Sequence, residues 1–295
     1  MIAPAIIEVG HVAIRVRDLD AAVDTATRIM GLRESHRDGD TVCLTNGELH
    51  HTIVYIAADE DAVDHIGFTA RNGEALARVR SRVIASGYEI VSDEPLEAGI
   101  ERGFAFKGID GFTFEIYLGM ARNEPDYIPT GVRPTRFGHI NIYARDVTAA
   151  ERFFVDLMDF RVSDRVEDAG VFLRCNVDHH GVAVLPGAGV LHHHAWEVQG
   201  IEDLARLGDY LDTSGRHLLW GPVRHGIGRN IAAYFQEPAG TVVEFYTDMQ
   251  RIYDDERFEP RTWTKDNQRW YSFWAPMRNP DFPTLGLSPG GSRTG

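Results

Sequence analysis

The chain has 295 residues, of which 43% are hydrophobic and 25% charged, a composition typical of a globular protein with one large domain or two ordinary ones. Its 44 acidic and 30 basic residues give a formal net charge of −14. Nucleic acids and anionic membranes are therefore not expected as partners, because the average field repels phosphate. Two cysteines in a chain of this length exclude a disulfide framework and a cysteine-based zinc site.

The amino-terminal sequence, MIAPAIIEVG, has neither a basic segment nor a long apolar run, and both are needed for a signal peptide. No stretch of about 18 apolar residues, the length needed for a membrane-spanning helix, follows anywhere in the chain. The sequence therefore predicts a cytoplasmic protein.

The chain repeats itself after 128 residues. The sequence GHVAIRVRDLDAAVDTATRIMGLRE at 10–34 matches GHINIYARDVTAAERFFVDLMDFRV at 138–162. Further matches join Asp64 and His65 to His192 and His193 and, after one inserted residue, Gly111–Tyr117 to Gly240–Tyr246. Internal similarity at a fixed spacing indicates a duplicated unit. We therefore expect two domains, at 1–130 and 131–250, followed by a C-terminal tail at 251–295.

The tail carries three of the chain's five tryptophans, Trp263, Trp270 and Trp274. Aromatic residues at this density favour burial, so the tail is expected to be ordered, as a cover over a cavity, a packing element between the domains or an oligomer contact. Its last segment, LSPGGSRTG at 287–295, is expected to be disordered.

Each domain divides again into two similar modules. Strand-like stretches at 9–17, 64–70, 137–144 and 193–199 each precede a segment with apolar residues at helical spacing, and short alternating runs follow. The sequence thus predicts an α+β fold of two tandem domains, each made of two βαβββ modules, with helices on one face and a concave opposite face.

Strand alternation predicts where the histidines point. In HINIYA, Ile140 and Ile142 share one face, whereas His139, Asn141 and Tyr143 share the other. The helices should cover the apolar face, so the histidine face should line the concave side. The same alternation places Trp196 on the helix side, opposite His193.

Three residues at corresponding strand positions form a candidate metal site, namely His139, His193 and Glu244. Two imidazoles and one carboxylate on one face of a divalent ion leave three positions open. This ligand set suits non-haem Fe(II), which needs room for substrate and O₂ together, and Mn(II) would fit the same ligands.

The stretch VRHGIGRNIAAYFQEPAGTVVE at 223–244 contains Val223, His225, Tyr234, Pro238, Gly240 and Glu244 at characteristic spacings. With the repeat and the ligand set, this stretch resembles two-domain type I extradiol ring-cleavage dioxygenases of the vicinal oxygen chelate superfamily, over residues 8–275. One position departs from the pattern, because Ala233 stands where a larger aliphatic or Phe is usual. The resemblance implies the glyoxalase/bleomycin-resistance/dioxygenase-like fold.

The resemblance also implies roles for individual residues. The residues His139, His193 and Glu244 would bind the metal, and His180 would handle a proton near bound O₂. His225 and Tyr234 would hydrogen-bond the substrate oxygens, although plain packing is the alternative role for His180 and Tyr234. No organic cofactor is implied, and family habit favours a homo-oligomer.

The N-terminal domain has its own set of equivalent residues. His11, His65 and Glu115 correspond to the C-terminal ligand set, and His51 corresponds to His180. A second metal site is one interpretation. We favour an ancestral remnant filled by side chains and water, because 95–110 contains no pair like His225 and Tyr234.

Two further details bear on the site. Strand alternation turns His192 and His194 away from the metal, which predicts a supporting or interface role for them. Where related enzymes often carry a polar residue that holds water or substrate, this chain has Gly228, and Arg229 or Asn230 is left as a substitute.

The predicted function is cleavage of a catecholic ring next to its vicinal diol with O₂ at a mononuclear Fe(II). A glyoxalase-like isomerase or epimerase is the alternative enzyme on this scaffold. A protein that binds an aromatic ligand without turnover is the third interpretation. Dependence on O₂ distinguishes the first from the others, and the choice between a monocyclic and a bicyclic catechol stays open.

Overall fold

The computed structural model of the protein describes residues 4–124, 127–274 and 279–291. Within these residues the chain forms two mixed β-sheets, one of eight strands and one of nine. The strands of the first sheet are β1 Ile6–Val16, β2 Arg33–Asp38, β3 Thr41–Thr45, β4 Ile53–Ala57, β5 Ala62–Ala70, β6 Ile90–Ser92, β7 Ile100–Lys107 and β8 Thr113–Met120. The strands of the second sheet are β9 Arg136–Ala144, β10 Arg161–Val166, β11 Gly170–Arg174, β12 Val182–Pro186, β13 Val190–Glu197, β14 Trp220–Arg224, β15 Ile231–Gln236, β16 Val242–Thr247 and β17 Arg261–Trp263.

One helix follows the first strand of each module. The helices are α1 Leu19–Arg28, α2 Gly73–Ala85, α3 Val147–Arg152, which continues as a π-helical turn at Phe153–Leu157, and α4 Ile201–Thr213, and short 3₁₀ turns lie at Ile109–Gly111, Gln268–Trp270 and Phe282–Thr284. The N-caps Asp18 and Asp146, equivalent in the repeat, each accept a hydrogen bond from a first-turn N–H at 2.9 Å, which satisfies a donor that the helix leaves unpaired. The predicted α+β fold of βαβββ modules is confirmed. Among the described residues, none of the helices has the length and apolarity needed to cross a bilayer.

The two sheets share one topology. The strand order is β2-β3-β4-β1-β5-β8-β7-β6 in the first and β14-β15-β16-β13-β9-β12-β11-β10-β17 in the second. In each sheet the first strands of the two modules pair antiparallel at the centre. The last strand of the second module pairs in parallel beside them, so β1-β5-β8 and β9-β13-β16 are equivalent central triplets.

The helix-side faces of the two sheets share an aromatic core. Phe68 of β5 lies 6.1 Å from Phe154 and 5.8 Å from Phe160 between ring centroids, in edge-to-face contacts. Phe114 of β8 lies 5.0 Å from Phe153. Because these contacts join residues of both repeats, the domains pack through their most apolar surfaces.

The opposite face carries the polar residues of β9, as strand alternation predicts. In β9, Ile140 and Ile142 belong to the apolar core, whereas His139, Asn141 and Tyr143 line a cavity. Trp196 likewise packs in the helix-side core, as predicted.

The C-terminal tail contacts both domains. Its strand β17 adds in parallel to β10 at the edge of the second sheet. Further on, Leu287 pairs with Leu191 of β13, and Pro289 pairs with Val63 of β5, which is the equivalent position in the first repeat. The sequence predicts disorder from residue 287. Leu287–Gly290 are instead ordered by main-chain hydrogen bonds to these two strands, and 292–295 lie outside the described residues.

Candidate metal centre and active site

Three acid–base side chains converge at the centre of the second sheet. Glu244 Oε2 lies 3.3 Å from His139 Nε2 and 3.1 Å from His193 Nε2. All three residues are buried. Ligand atoms that stand about 2.0–2.2 Å from one divalent ion are about 3–4 Å from each other, so these spacings fit a single ion.

The register of the sheet brings these side chains together. Ala195 of β13 pairs with His139 of β9 on one side and with Glu244 of β16 on the other. The ligand set thus comes from three neighbouring strands, with a methyl group at the middle position. His193 lies two residues before Ala195 on the same strand and therefore faces the same side.

The electrostatics of the three residues fit a cation. Burial alone would raise the pKa of Glu244, but His139 and His193 outweigh burial and hold that pKa well below its usual range. Burial lowers the pKa of His193, so its imidazole is neutral at pH 7. An ionised carboxylate beside imidazole lone pairs is the donor set that divalent Fe, Mn or Zn prefers.

Asn230 holds the second oxygen of the carboxylate. Its Nδ2 donates to Glu244 Oε1 at 2.9 Å, which leaves Oε2 directed at the histidines. Arg229 turns elsewhere, and its guanidinium lies 5.3 Å from the centroid of the Phe273 ring. Of the two substitutes left open by the sequence, Asn230 is the one that reaches the site.

His192 and the tail fix the tautomer of His193. His192 Nε2 lies 2.7 Å from the carbonyl oxygen of Phe282, which can only accept, so this nitrogen carries the proton. Burial beside His193 lowers the pKa of His192 to about 3, so the ring is neutral. His192 Nδ1, 2.8 Å from His193 Nδ1, therefore accepts, and His193 Nε2 keeps its lone pair for a metal.

The predicted orientation of His192 is wrong. A β-bulge between Leu191 and His193 interrupts the alternation of β13, and His192 lines the cavity, with its ring stacked 4.6 Å from that of Tyr143. His194 does point away, as predicted, and its Nε2 lies 3.2 Å from Glu237.

His225 and Tyr234 form a hydrogen-bonded pair. Burial lowers the pKa of His225, and the carbonyl of Tyr271 accepts from its Nδ1 at 2.6 Å. The other nitrogen, Nε2, therefore accepts from the Tyr234 hydroxyl at 2.7 Å. Burial and Glu244 raise the pKa of Tyr234 well above its usual value, so the phenol keeps its proton at neutral pH.

His180 lies against the ligand set on another side. Its ring centroid is 4.5 Å from that of His139. His179 Nδ1 lies 3.1 Å from His180 Nδ1, and Asp164 lies 3.5 Å from the far nitrogen of His179. Asp164 also accepts from the Trp263 indole at 2.9 Å, so strand β17 holds this chain of polar groups in place.

All six predicted site residues line one cavity, and most of the other lining residues are apolar or aromatic. The lining consists of His139, Asn141, Tyr143, Phe172, His180, Ala183, Leu185, His192, His193, Trp220, His225, Ile227, Asn230, Tyr234, Glu244, Trp270, Tyr271 and Phe282. The tail contributes Trp270, Tyr271 and Phe282 and so forms part of the cavity wall. Among the described residues of this lining, neither lysine nor arginine occurs.

Sequence reasoning did not find the contributions of Tyr271 and Phe282. Each acts on a site histidine through its main-chain carbonyl, and a carbonyl is present at every residue. The density of aromatic residues in the tail was the available signal, because it indicated burial near a cavity.

Comparisons with known proteins agree with this architecture. The model of the Glyoxalase/Bleomycin resistance protein/Dioxygenase superfamily matches twice, at residues 8–116 and 136–245. The chain is 26% identical over 301 residues to a manganese-dependent 2,3-dihydroxybiphenyl 1,2-dioxygenase of Geobacillus genomosp. 3, covering 93% of this chain and 95% of that protein. It is 27% identical over 279 residues to a metapyrocatechase of a Pseudomonas species, covering 86% and 89%.

A solved structure is similar over nearly the whole chain. The Mn(II)-bound glyoxalase from Novosphingobium aromaticivorans superimposes with a TM-score of 0.88 at 26% identity, covering 99% of this chain and 97% of that one. The family model matches one unit in each half, and each unit coincides with one of the two sheets. The chain therefore belongs to the Glyoxalase/Bleomycin resistance protein/Dioxygenase superfamily, with two tandem domains of that fold.

Proposed function

We propose that the protein is an extradiol ring-cleavage dioxygenase, which uses O₂ to open a catecholic ring next to its vicinal diol. One observation carries the proposal. Three donors for a divalent ion, His139, His193 and Glu244, share a single cavity with His180 and Tyr234, two groups able to handle protons. The relatives named as dioxygenases of catecholic rings, aligned over most of the chain, support this assignment.

The ligand set would hold Fe(II), and Mn(II) is the alternative that the same donors accept. When bound, the ion supplies a common attachment point for the two reactants and favours loss of the diol protons. The protein's part is to fix where the diol lies and where its protons go.

The cavity residues are prepared for that task. Burial, with His139 and His179 nearby, lowers the pKa of His180 well below its usual value, so a neutral imidazole is available to accept a proton. Tyr234 keeps its proton, which it donates to His225 in this structure and would turn to a developing oxyanion on the substrate. Its partner His225 is held by the Tyr271 carbonyl, so the pair enters the reaction with a fixed tautomer.

The residues that line the cavity favour, as substrate, a catechol with an uncharged, apolar substituent. Phe172, Leu185, Trp220 and Ile227 offer it apolar contact. A carboxylate on the substituent would be buried among these groups without a cationic partner in the described lining, and such burial is costly. The size of the substituent stays open.

The test is O₂ uptake by the full chain loaded anaerobically with Fe(II) or Mn(II). Catechol, 4-methylcatechol and 2,3-dihydroxybiphenyl are the uncharged substrates, and 3,4-dihydroxyphenylacetate is the anionic counterpart of 4-methylcatechol. We expect stoichiometric uptake with a yellow ring-opened product, and a higher kcat/KM for the uncharged group. Tight catechol binding without uptake, by protein that retains its metal, would refute the dioxygenase. Preference for the anionic catechol would refute the substrate class alone.

A further inference from the structure

We infer that the N-terminal domain holds a second divalent transition-metal ion, buried and structural, at His11, His65 and Glu115. This inference is independent of the proposed catalytic function. The three residues lie on β1, β5 and β8, the strands equivalent to those that carry His139, His193 and Glu244.

The donor atoms of this N-terminal cluster converge as they do in the C-terminal domain. His11 Nε2 lies 3.3 Å from Glu115 Oε2 and 3.0 Å from His65 Nε2, and His65 Nε2 lies 3.9 Å from the same carboxylate oxygen. These spacings match those expected for atoms that share one ion. Three donor atoms are thus directed at one point.

The strands around the cluster have the same register in both domains. Gly67 pairs with His11 on one side and with Glu115 on the other, which is the place that Ala195 takes in the second sheet. A Cβ atom at Gly67 would lie 2.1 Å from His11 Cε1, so a residue with a side chain would displace that imidazole. The glycine therefore permits the orientation that His11 needs to reach the other two donors.

The surrounding polar groups orient the donors toward the shared point. Asp64 Oδ1 lies 2.8 Å from His65 Nδ1, so this nitrogen carries the proton. The lone pair of the ring is then on Nε2, where it can bind an ion. Arg15 donates to the other oxygen of Asp64 at 2.8 Å. The backbone N–H of Leu96 donates to Glu115 Oε1 at 2.7 Å, whereas Glu115 Oε2 is buried without a hydrogen-bond partner among the described residues.

The buried carboxylate of the N-terminal cluster needs a positive charge beside it. The side chains of His11, His65 and Glu115 are fully buried, so the carboxylate of Glu115 is removed from water. An ionised carboxylate that is removed from water needs a positive partner. The competing partner is a proton on His65, because this ring lies between the carboxylates of Asp64 and Glu115, at 2.8 and 3.9 Å.

The site lacks the groups that would make it catalytic. Ala105 pairs with Glu115 in the first sheet, where Tyr234 pairs with Glu244 in the second, so no phenol faces this cluster from that strand. His51 offers a fourth donor. Its ring centroid lies 4.7 Å from that of His11, and its Nε2 is buried without a partner among the described residues. With His51 as the fourth ligand the site would have no open position, and closed four-coordinate sites are typical of structural ions, whereas catalytic ions keep a position open.

The test is the number of metal ions per chain in two matched variants of the full-length protein, measured by mass spectrometry after removal of loosely bound metal. The variants His11→Ala/Glu115→Gln and His139→Ala/Glu244→Gln carry the same changes at equivalent positions. We expect two ions in the unmodified protein and one in each variant. One ion in the unmodified protein and none in His139→Ala/Glu244→Gln would overturn the inference and leave the proton on His65 as the counter-charge.

A second measurement keeps the test decisive if the N-terminal variant fails to fold. Metal-free His139→Ala/Glu244→Gln, in which the N-terminal cluster is untouched, is titrated with Zn²⁺ or Mn²⁺ alone while its Tm is followed. We expect Tm to rise by several degrees and to level off at one ion per chain, because an ion that binds only the folded state stabilises it. A Tm unchanged by either ion would refute the site.

Discussion

The imidazole of His192 donates through Nε2 to the main-chain carbonyl of Phe282 at a distance of 2.7 Å. A residue of the C-terminal tail thereby sets the proton positions of a histidine that in turn orients His193. The tail is thus connected through two hydrogen bonds to His193, one of the proposed metal ligands, in addition to forming part of the cavity wall.

Replacing His192 should weaken metal binding without removing a ligand. In His192→Phe the ring still stacks on Tyr143, but His193 Nδ1 loses its acceptor, and loss of such a supporting partner typically costs about 10–100-fold in metal affinity. The measurement is a competition titration of Fe(II) or Mn(II) against a chelator, with the exposed His217→Phe as control. Equal affinities in the two variants would show that His192 acts only by packing.

Replacing Tyr234 by phenylalanine should affect turnover more than binding. The variant keeps the ring that stacks on Trp220 but loses the hydroxyl that donates to His225 and, in the proposed function, to the substrate oxygens, so kcat is expected to fall by about 10²–10³ with little change in KM. Steady-state O₂ uptake measures both constants, and the exposed Tyr210→Phe is the matched control. A variant that raises KM and leaves kcat intact would instead assign Tyr234 to ground-state binding.

Tyr55 joins the two domains through a buried hydrogen bond. Its hydroxyl donates to Glu237 at 2.6 Å, and Glu237 also lies 3.2 Å from His194. Tyr55→Phe leaves a buried carboxylate with one donor fewer, so the free energy of unfolding should fall by about 1–3 kcal/mol. Urea denaturation measures the loss, and the exposed Tyr210→Phe should change stability by less than about 0.5 kcal/mol. If Tyr55→Phe and the unmodified protein had the same free energy of unfolding, a water molecule would be replacing the phenol as donor to Glu237.

Asp164 should make stability depend on pH in the acid range. Burial raises its pKa, but His179, the Trp263 indole and the backbone N–H of Arg261 outweigh burial and lower it. The folded pKa is thus below the unfolded value of about 3.9, so the stabilisation is complete above that pH and is lost as pH falls through the folded pKa. Asp164→Asn should be less stable at pH 7 and should lose part of this acid dependence, as followed by Tm from pH 7 to pH 3. The exposed Asp209→Asn should follow the unmodified curve, and an Asp164→Asn curve of the same shape would contradict the assignment.

Much of the fold and of the candidate site could be predicted because two periodicities are visible in the sequence. The 128-residue repeat gives the two domains and their modules, and strand alternation places His139 and His193 on one face. Repeat equivalence then adds Glu244, and the structure brings the three together. Their roles, the assigned roles of the other cavity residues and the expected homo-oligomer stay predictions.

The remaining parts of the site depend on local departures from regular geometry. The bulge before His193 turns His192 into the cavity, and residue alternation alone cannot show a bulge. Arg229 adopts a left-handed backbone with φ 62°, which a non-glycine residue rarely does, and the turn that it makes carries Asn230 to Glu244. The carbonyls of Tyr271 and Phe282 contribute through the main chain, so side-chain identity gives no indication of them.

Two residues of the tail, Pro289 and Leu287, pair with Val63 and Leu191, which are equivalent positions of the two repeats. Both pairing partners come well before the tail in the chain. A ribosome therefore releases both domains before the segment that fixes the protons on His192 and His225. Before that segment is in place, the two domains can fold, but one wall of the cavity is open and the rings of His192 and His225 are free to exchange tautomers. Completion of the candidate site therefore follows the synthesis of both domains, and a chain stopped short of Tyr271 would keep the scaffold without a finished site.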